Sequence, residues 1–302
     1  MLVRGGVGTV EVISEDAVPD PESEDEAAMP ESRRDKLMKE AVSLEHLMTH
    51  IPKNPFCPGC AWGKTLRSQQ RKKQNKAYKR LKPYDEPTSF GGLCTMDHWF
   101  ASNELSRGLF GESACVTFRD RYTDYIASVG THKKDAESVA RFLRNVLHPS
   151  EAYEYFWTDG AHELATAASQ VGAAHDSCIP GDKRQNAVAE RTNGIIQDGC
   201  RALLVTAGLP IQFWVYACQY FCHCYNIQGV GDQPSAWKKR FGEDFDYAVL
   251  PFGSKIRFLP QKSIEAEHST KPHERTFVGI YLGFVHHAGG ADWARVVCIK
   301  AR

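Results

Sequence analysis

Four residues near the start of the chain, and three acids spread along it, have the types and spacing to hold metal ions. His46 and His50 have three residues between them, and Cys57 and Cys60 have two. Two imidazoles and two thiolates closing on one centre are the donor set of a tetrahedral structural Zn²⁺. A single pair would be a weak signal, whereas two pairs in so short a stretch are a specific one. The competing reading is a zinc-free turn beside two helix histidines, and metal content separates them.

The three acids are Asp97, Asp159 and Glu190. Asp97 follows an apolar strand-like run, Asp159 ends another, and Glu190 lies near the start of a helical pattern. Carboxylates at such positions can converge at one end of a sheet. There they can share two Mg²⁺ or Mn²⁺ ions about 3.5–4 Å apart, since hard cations take oxygen donors while phosphate oxygens complete their shells. On spacing alone, surface acids at element ends fit equally well, because the chain has 37 acidic residues to draw from.

The elements needed to position these groups can be read from periodicity. Leu93 to Trp99, Ala114 to Phe118 and Tyr125 to Val129 read as three consecutive strands divided by Gly and charged turns. Lys134 to Leu147 has Ala136, Val139, Ala140, Phe142, Leu143 and Val146 at helical spacing, with Asp135 at its start. Tyr153 to Thr158 reads as a buried strand ending at Asp159. Glu163 to Val171 follows as a helix, then a short strand near His175 to Ile179. Asn186 to Ala207 and Ile211 to Tyr225 read as two further helices. This order predicts an α/β fold, a mixed sheet flanked by helices. Beyond Asp232 short β-like stretches, Lys255 to Leu259, Thr276 to Phe284 and Arg295 to Ile299, predict a small β-rich region.

The string Gln185-Asn-Ala-Val-Ala-Glu190-Arg191, opened by Pro180 ten positions before the glutamate, resembles the signature around the catalytic glutamate of copia-type retrotransposon integrases. Thr158-Asp159 with Glu163 four residues later is similar to a second part of that pattern, and Thr95-Met-Asp97-His98-Trp99 to a third. Gln212-Phe-Trp214-Val-Tyr-Ala217, Pro234-Ser-Ala-Trp237 and Phe241-Gly242 resemble the family's later segments, so the likeness runs over roughly residues 44–285. It implies the retroviral integrase superfamily and an RNase H-like core, with Asp97, Asp159 and Glu190 as the catalytic, metal-binding triad. It also implies that His46, His50, Cys57 and Cys60 form an N-terminal HHCC zinc module.

By this resemblance the chain divides into an acidic, disordered tail (1–36), the zinc module (37–63), a basic linker (64–88), the catalytic core (89–228) and the β-rich C-terminal region (229–302). The implied reaction is transfer of element DNA 3′ ends into target DNA by a homo-oligomer, with Mg²⁺ or Mn²⁺ at the triad. Three differences from the family pattern stand out. The stretch between Asp159 and Glu190 is short, Gly160-Ala161-His162 replaces an Asn-Gly-Gly run, and Ala187 replaces a glycine. They keep open a second function, a catalytically inactive DNA-binding and assembly module. A metal-dependent nuclease of the same superfamily is a third, less compatible with a zinc quartet ahead of the core.

Charge bears on the partner. The net charge is zero, yet residues 1–31 hold nine Asp or Glu against Arg4 alone, which leaves the remainder basic. Lys64, Arg67, Arg71, Lys72, Lys73, Lys76, Lys79, Arg80 and Lys82 form a run without an acid. Such a run can grip phosphates without reading sequence, and Arg191 beside the glutamate joins it as a DNA contact. A nuclear-localisation tract or a solvated linker fits the same composition.

Ten cysteines are too few for a disulfide scaffold, and no N-terminal apolar segment resembles a signal peptide. No run reaches the roughly 18 apolar residues of a membrane span. The expected setting is therefore intracellular, in the nucleus or a cytoplasmic retroelement particle, with no membrane partner. Cys218, Cys222, His223 and Cys224 sit in an apolar helical stretch and are expected to pack as core. His162, His286 and His287 lack partner ligands. Protease and reverse-transcriptase motifs are absent, so the chain reads as one part of a longer polyprotein.

Overall fold

The computed structural model describes residues 32–64, 86–177, 186–229, 233–259, 276–285 and 293–298. The acidic residues 1–31, all of the basic run beyond Lys64, residues 178–185, and His286 and His287 lie outside the described residues.

Strands β1 (Cys94–Phe100), β2 (Ala114–Asp120) and β3 (Ile126–Thr131) form an antiparallel meander. Asp135 then caps helix α4 (Ala136–Val146), its carboxylate accepting from the Ser138 amide. The chain returns as β4 (Tyr155–Thr158), parallel to β1, and passes through α5 (His162–Gln170) into β5 (Ala174–Ser177), parallel to β4. The sheet order β3-β2-β1-β4-β5 is the RNase H-like arrangement expected from the sequence.

Side-chain alternation divides the sheet into two faces. Cys94, Met96, Val116 and Phe118 pack with Val139 and Leu143 of α4 and Leu164 and Ala168 of α5. The opposite face, with Trp99 and Cys115, is covered by the helices α6 (Ala187–Ala207) and α7 (Trp214–Ile227). Period two along β1 therefore turns Asp97 toward α6 and His98 toward α5.

Three helices precede the core. Ser32 caps α1 (Arg33–Ala41) by accepting from the Asp35 amide, so helix begins inside the last residues assigned to the acidic tail. α2 (Leu44–Thr49) and α3 (Pro58–Gly63) follow. α3 lies directly on α6. A Cβ on Gly59 would stand 2.4 Å from Thr206 Oγ1, and one on Gly63 would stand 2.8 Å from the Ala202 nitrogen, so only glycine permits this approach.

The boundary expected near residue 229 does not separate two cores. Helix α8 (Ala236–Phe241) packs Ala236, Trp237 and Phe241 into the α4–α5 side. Its Arg240 side chain is buried, stands 3.7 Å from the centroid of Phe90, and donates to Glu151 and the Val146 carbonyl. Strands β6 (Lys255–Phe258), β7 (Phe277–Val285) and β8 (Trp293–Cys298) form the expected antiparallel sheet. Tyr281 and Leu282 of β7 join the core made by α6 and α7. The thiols of Cys218, Cys222 and Cys224 are free and buried, as their apolar helix requires. No helix among the described residues is long and apolar enough to cross a membrane.

Candidate metal centres

The histidine and cysteine pairs are brought together. His46 lies in α2 and His50 is its left-handed C-cap, while Cys57 caps the start of α3 and Cys60 sits one turn in. All four residues are buried, and their ligand atoms lie within 4.8 Å of one another. Cys57 Sγ is 3.2 Å from His50 Nδ1, and Cys60 Sγ is 3.4 Å from His46 Nε2 and 3.8 Å from His50 Nδ1. Tetrahedral Zn–S and Zn–N bonds of about 2.3 and 2.0 Å require ligand separations of about 3.5 Å. Donor types and spacing therefore fit zinc.

The electrostatics agree. Burial, then the neighbouring His46 and Lys64, hold the His50 pKa down to about 3, so its imidazole stays in the neutral, ligating form. Lys64 Nζ donates to the carbonyls of Thr49 and His50, at 3.3 and 2.9 Å. The first cation of the basic run is thus committed to bracing the cluster. Arg201 of α6 donates to the Gly63 carbonyl at 3.1 Å, a second tie between module and core.

Asp97 lies inside its strand, whereas Asp159 and Glu190 stand at element ends. Asp97 is on β1, Asp159 follows β4 immediately, and Glu190 is in the first turn of α6. Because β1 and β4 are neighbours, this sets Asp97 and Asp159 on adjacent strands. Burial first, then the charges of Asp159 and Glu190, push the Asp97 pKa up to about 6, against relief from the His98 amide and Lys134. Mutual repulsion of this kind is what a bound divalent cation relieves, so the donor chemistry fits Mg²⁺ or Mn²⁺. The carboxylates are nevertheless not gathered like the zinc ligands: among the described residues, only the His/Cys quartet draws three or more potential ligands within that distance. Asp159 is half-buried and Glu190 exposed.

Other groups here have no individual signal in the sequence. Asn193, one helical turn after Glu190, donates from Nδ2 to Asp97 Oδ2 at 2.9 Å. Its Oδ1 accepts from Thr117 Oγ1, and Thr117 is the cross-strand partner of Asp97. The other Asp97 oxygen accepts from the His98 amide at 2.7 Å. Spacing of i, i+3 from the glutamate was the one clue to Asn193. On the opposite face, Lys134 Nζ is 2.7 Å from Glu163 Oε1, and His98 Nδ1 is 3.7 Å from the same oxygen. Arg191 is exposed beside Glu190.

An RNase H-like sheet with an acid at each of three elements is thus preceded by a buried His₂Cys₂ cluster. In sequence, 66 residues of the chain are 36% identical to the retrovirus-related Pol polyprotein from transposon TNT 1-94 of Nicotiana tabacum. The match takes in 22% of the chain but only 5% of that polyprotein's length. No protein-family model matches. Similar solved structures include the HTLV-2 integrase catalytic core domain in complex with magnesium, at 14% identity and TM-score 0.39, covering 51% of this chain and 99% of that one. The simian T-cell lymphotropic virus intasome in complex with PP2A regulatory subunit B56 gamma is another, at 12% identity and TM-score 0.39, covering 66% and 78%.

Proposed function

We propose that the chain is a retroelement integrase that transfers element DNA 3′ ends into target DNA. What supports this reading is the placement of Asp97 on β1, Asp159 at the end of the neighbouring β4 and Glu190 in the first turn of α6, with the charges of Asp159 and Glu190 raising the Asp97 pKa. Divalent ions held there would polarise the scissile phosphate and lower the pKa of the attacking hydroxyl. The protein's own part is positional. Asn193 and the His98 amide each hold one oxygen of Asp97, which fixes its plane. β4 and the first turn of α6 present Asp159 and Glu190 from their ends.

Zinc at His46, His50, Cys57 and Cys60 would close the N-terminal module over α6 and support assembly of a homo-oligomer. Arg67, Arg71, Lys72, Lys73, Lys76, Lys79, Arg80, Lys82 and Arg191 would neutralise DNA phosphates, with the nucleus or a retroelement particle as the setting. The second reading, a catalytically inactive DNA-binding and assembly module, is favoured by the spread of the carboxylates. The two are separated by Mg²⁺- or Mn²⁺-dependent joining of a labelled DNA end into plasmid, with Glu190→Gln as control. Joining lost only in the variant supports strand transfer. Salt-sensitive DNA binding without joining by either protein supports the inactive module.

A further inference from the structure

On the α5 face of β1, beside the acids but turned away from α6, an exposed aromatic ring and a located cation stand together. Phe100, the last residue of β1, is 54% exposed. Its ring lies nearly parallel to that of His98, at 14° and 6.2 Å between centroids. Lys134 Nζ is 5.9 Å from the Phe100 centroid. Glu163, whose side chain is only 16% exposed, holds that ammonium at 2.7 Å, so a long flexible side chain is kept at one place while 42% of it still faces solvent.

We propose that Phe100 and Lys134 form a subsite for one unpaired nucleotide of a DNA end, the base stacking on Phe100 and its phosphate meeting Lys134. The inference rests on the integrase reading for its ligand class, and it adds a binding site beside the triad. The chemistry is that of single-strand recognition, in which an aromatic face accepts any base and a nearby cation follows the backbone. His98 backs the Phe100 ring from within the sheet and stiffens the platform. Phe100 follows Asp97 by three residues on β1, so the subsite shares a strand with the first acid and lies on its other face. Glu163 acts as a positioning residue, since it touches the cation and not the nucleic acid.

The test uses the full chain with zinc bound and Ca²⁺ present. Two probes share one sequence: a duplex with a 3′ overhang carrying 2-aminopurine at the terminal nucleotide, and its blunt counterpart. The unaltered protein should quench the overhang probe. Phe100→Ala should abolish quenching and weaken overhang binding at least fivefold while leaving blunt-duplex binding unchanged, and Phe100→Trp should restore both. Lys134→Ala should weaken the overhang probe more than the blunt one and reduce the slope of log overhang affinity against log salt by roughly 0.7. Both side chains are exposed, so unchanged melting temperatures will show the variants folded. Equal quenching by Phe100→Ala, an equal loss on both probes in Phe100→Ala, or no binding by the unaltered chain overturns the subsite. Failure of joining with Phe100-dependent quenching intact would sink the strand-transfer reading and leave the subsite standing.

Discussion

The two candidate metal centres differ in how far the fold alone completes them. The His46–Cys60 cluster draws its ligands from one short stretch, buries all four, and leaves them spaced for a tetrahedral ion. The carboxylate centre draws on β1, the end of β4 and the start of α6, and leaves Glu190 in solvent. Closed coordination belongs to structural zinc, while open positions belong to centres whose remaining ligands come from substrate. Under the proposed reading the first centre serves stability and the second serves chemistry. It also implies that metal loss has unequal consequences at the two.

The largest effect expected is at the zinc centre. Cys60→Ser, or chelation of zinc, should unfold α2 and α3, since structural zinc supplies on the order of 10 kcal/mol to modules of this size. Hydrogen exchange would then rise in those helices and along the α6 turns they cover. If the exchange pattern of α2 and α3 stays native without metal, the distinction between the centres collapses. A smaller loss should follow from Gly59→Val, whose side chain would drive into Thr206 and the Ala202 carbonyl. Overpacking of this kind costs about 1–3 kcal/mol. The thermal midpoint should fall while the Co²⁺-substituted quartet keeps its thiolate absorption, because the variant strikes the docking surface and not the ligands.

At the carboxylate centre the sign reverses. A carboxyl group whose folded pKa is raised to about 6 binds its proton more tightly folded than unfolded. The metal-free protein should therefore lose stability as pH climbs from near 4 to near 6, and stay at the lower level above that. Asp97→Asn should remove this slope. It should stabilise the metal-free chain at neutral pH by on the order of 1–2 kcal/mol, allowing for solvent screening of a partly exposed group. Melting curves across that pH range decide it, and an unchanged slope in the variant would show that Asp97 is not the strained group. The smallest effect should come from Asn193→Ala. Loss of one hydrogen bond to Asp97 is worth about 1 kcal/mol, or roughly fivefold in Mn²⁺ affinity, with the zinc centre and thermal midpoint little changed.

This contrast also governs what could be read from the sequence. The zinc quartet was legible because His-x₃-His and Cys-x₂-Cys are short-range patterns whose geometry local turns almost fix. The sheet was legible because β1, β2 and β3 alternate cleanly, and α4 because Asp135 and the apolar spacing agree on its start. The triad could be named through resemblance, but the spacing of its side chains depends on three separate elements and on ions. Thr117 and Asn193 meet Asp97 across 20 and 96 residues of chain, so no local pattern around Asp97 announces them. The packing of the C-terminal region on the core was not legible for the same reason. Arg240 reaches back to Glu151 and Phe90, and Tyr281 packs among α6 and α7, contacts that composition after Asp232 does not encode.

The central claim, that Asp97, Asp159 and Glu190 act as one divalent-cation centre, is tested most directly by Mn²⁺ titration followed by electron paramagnetic resonance, with zinc kept in place. The unaltered chain should bind Mn²⁺, and Asp97→Asn, Asp159→Asn and Glu190→Gln should each weaken that binding by about tenfold or more. Equal Mn²⁺ binding by the unaltered chain and all three variants would contradict the claim.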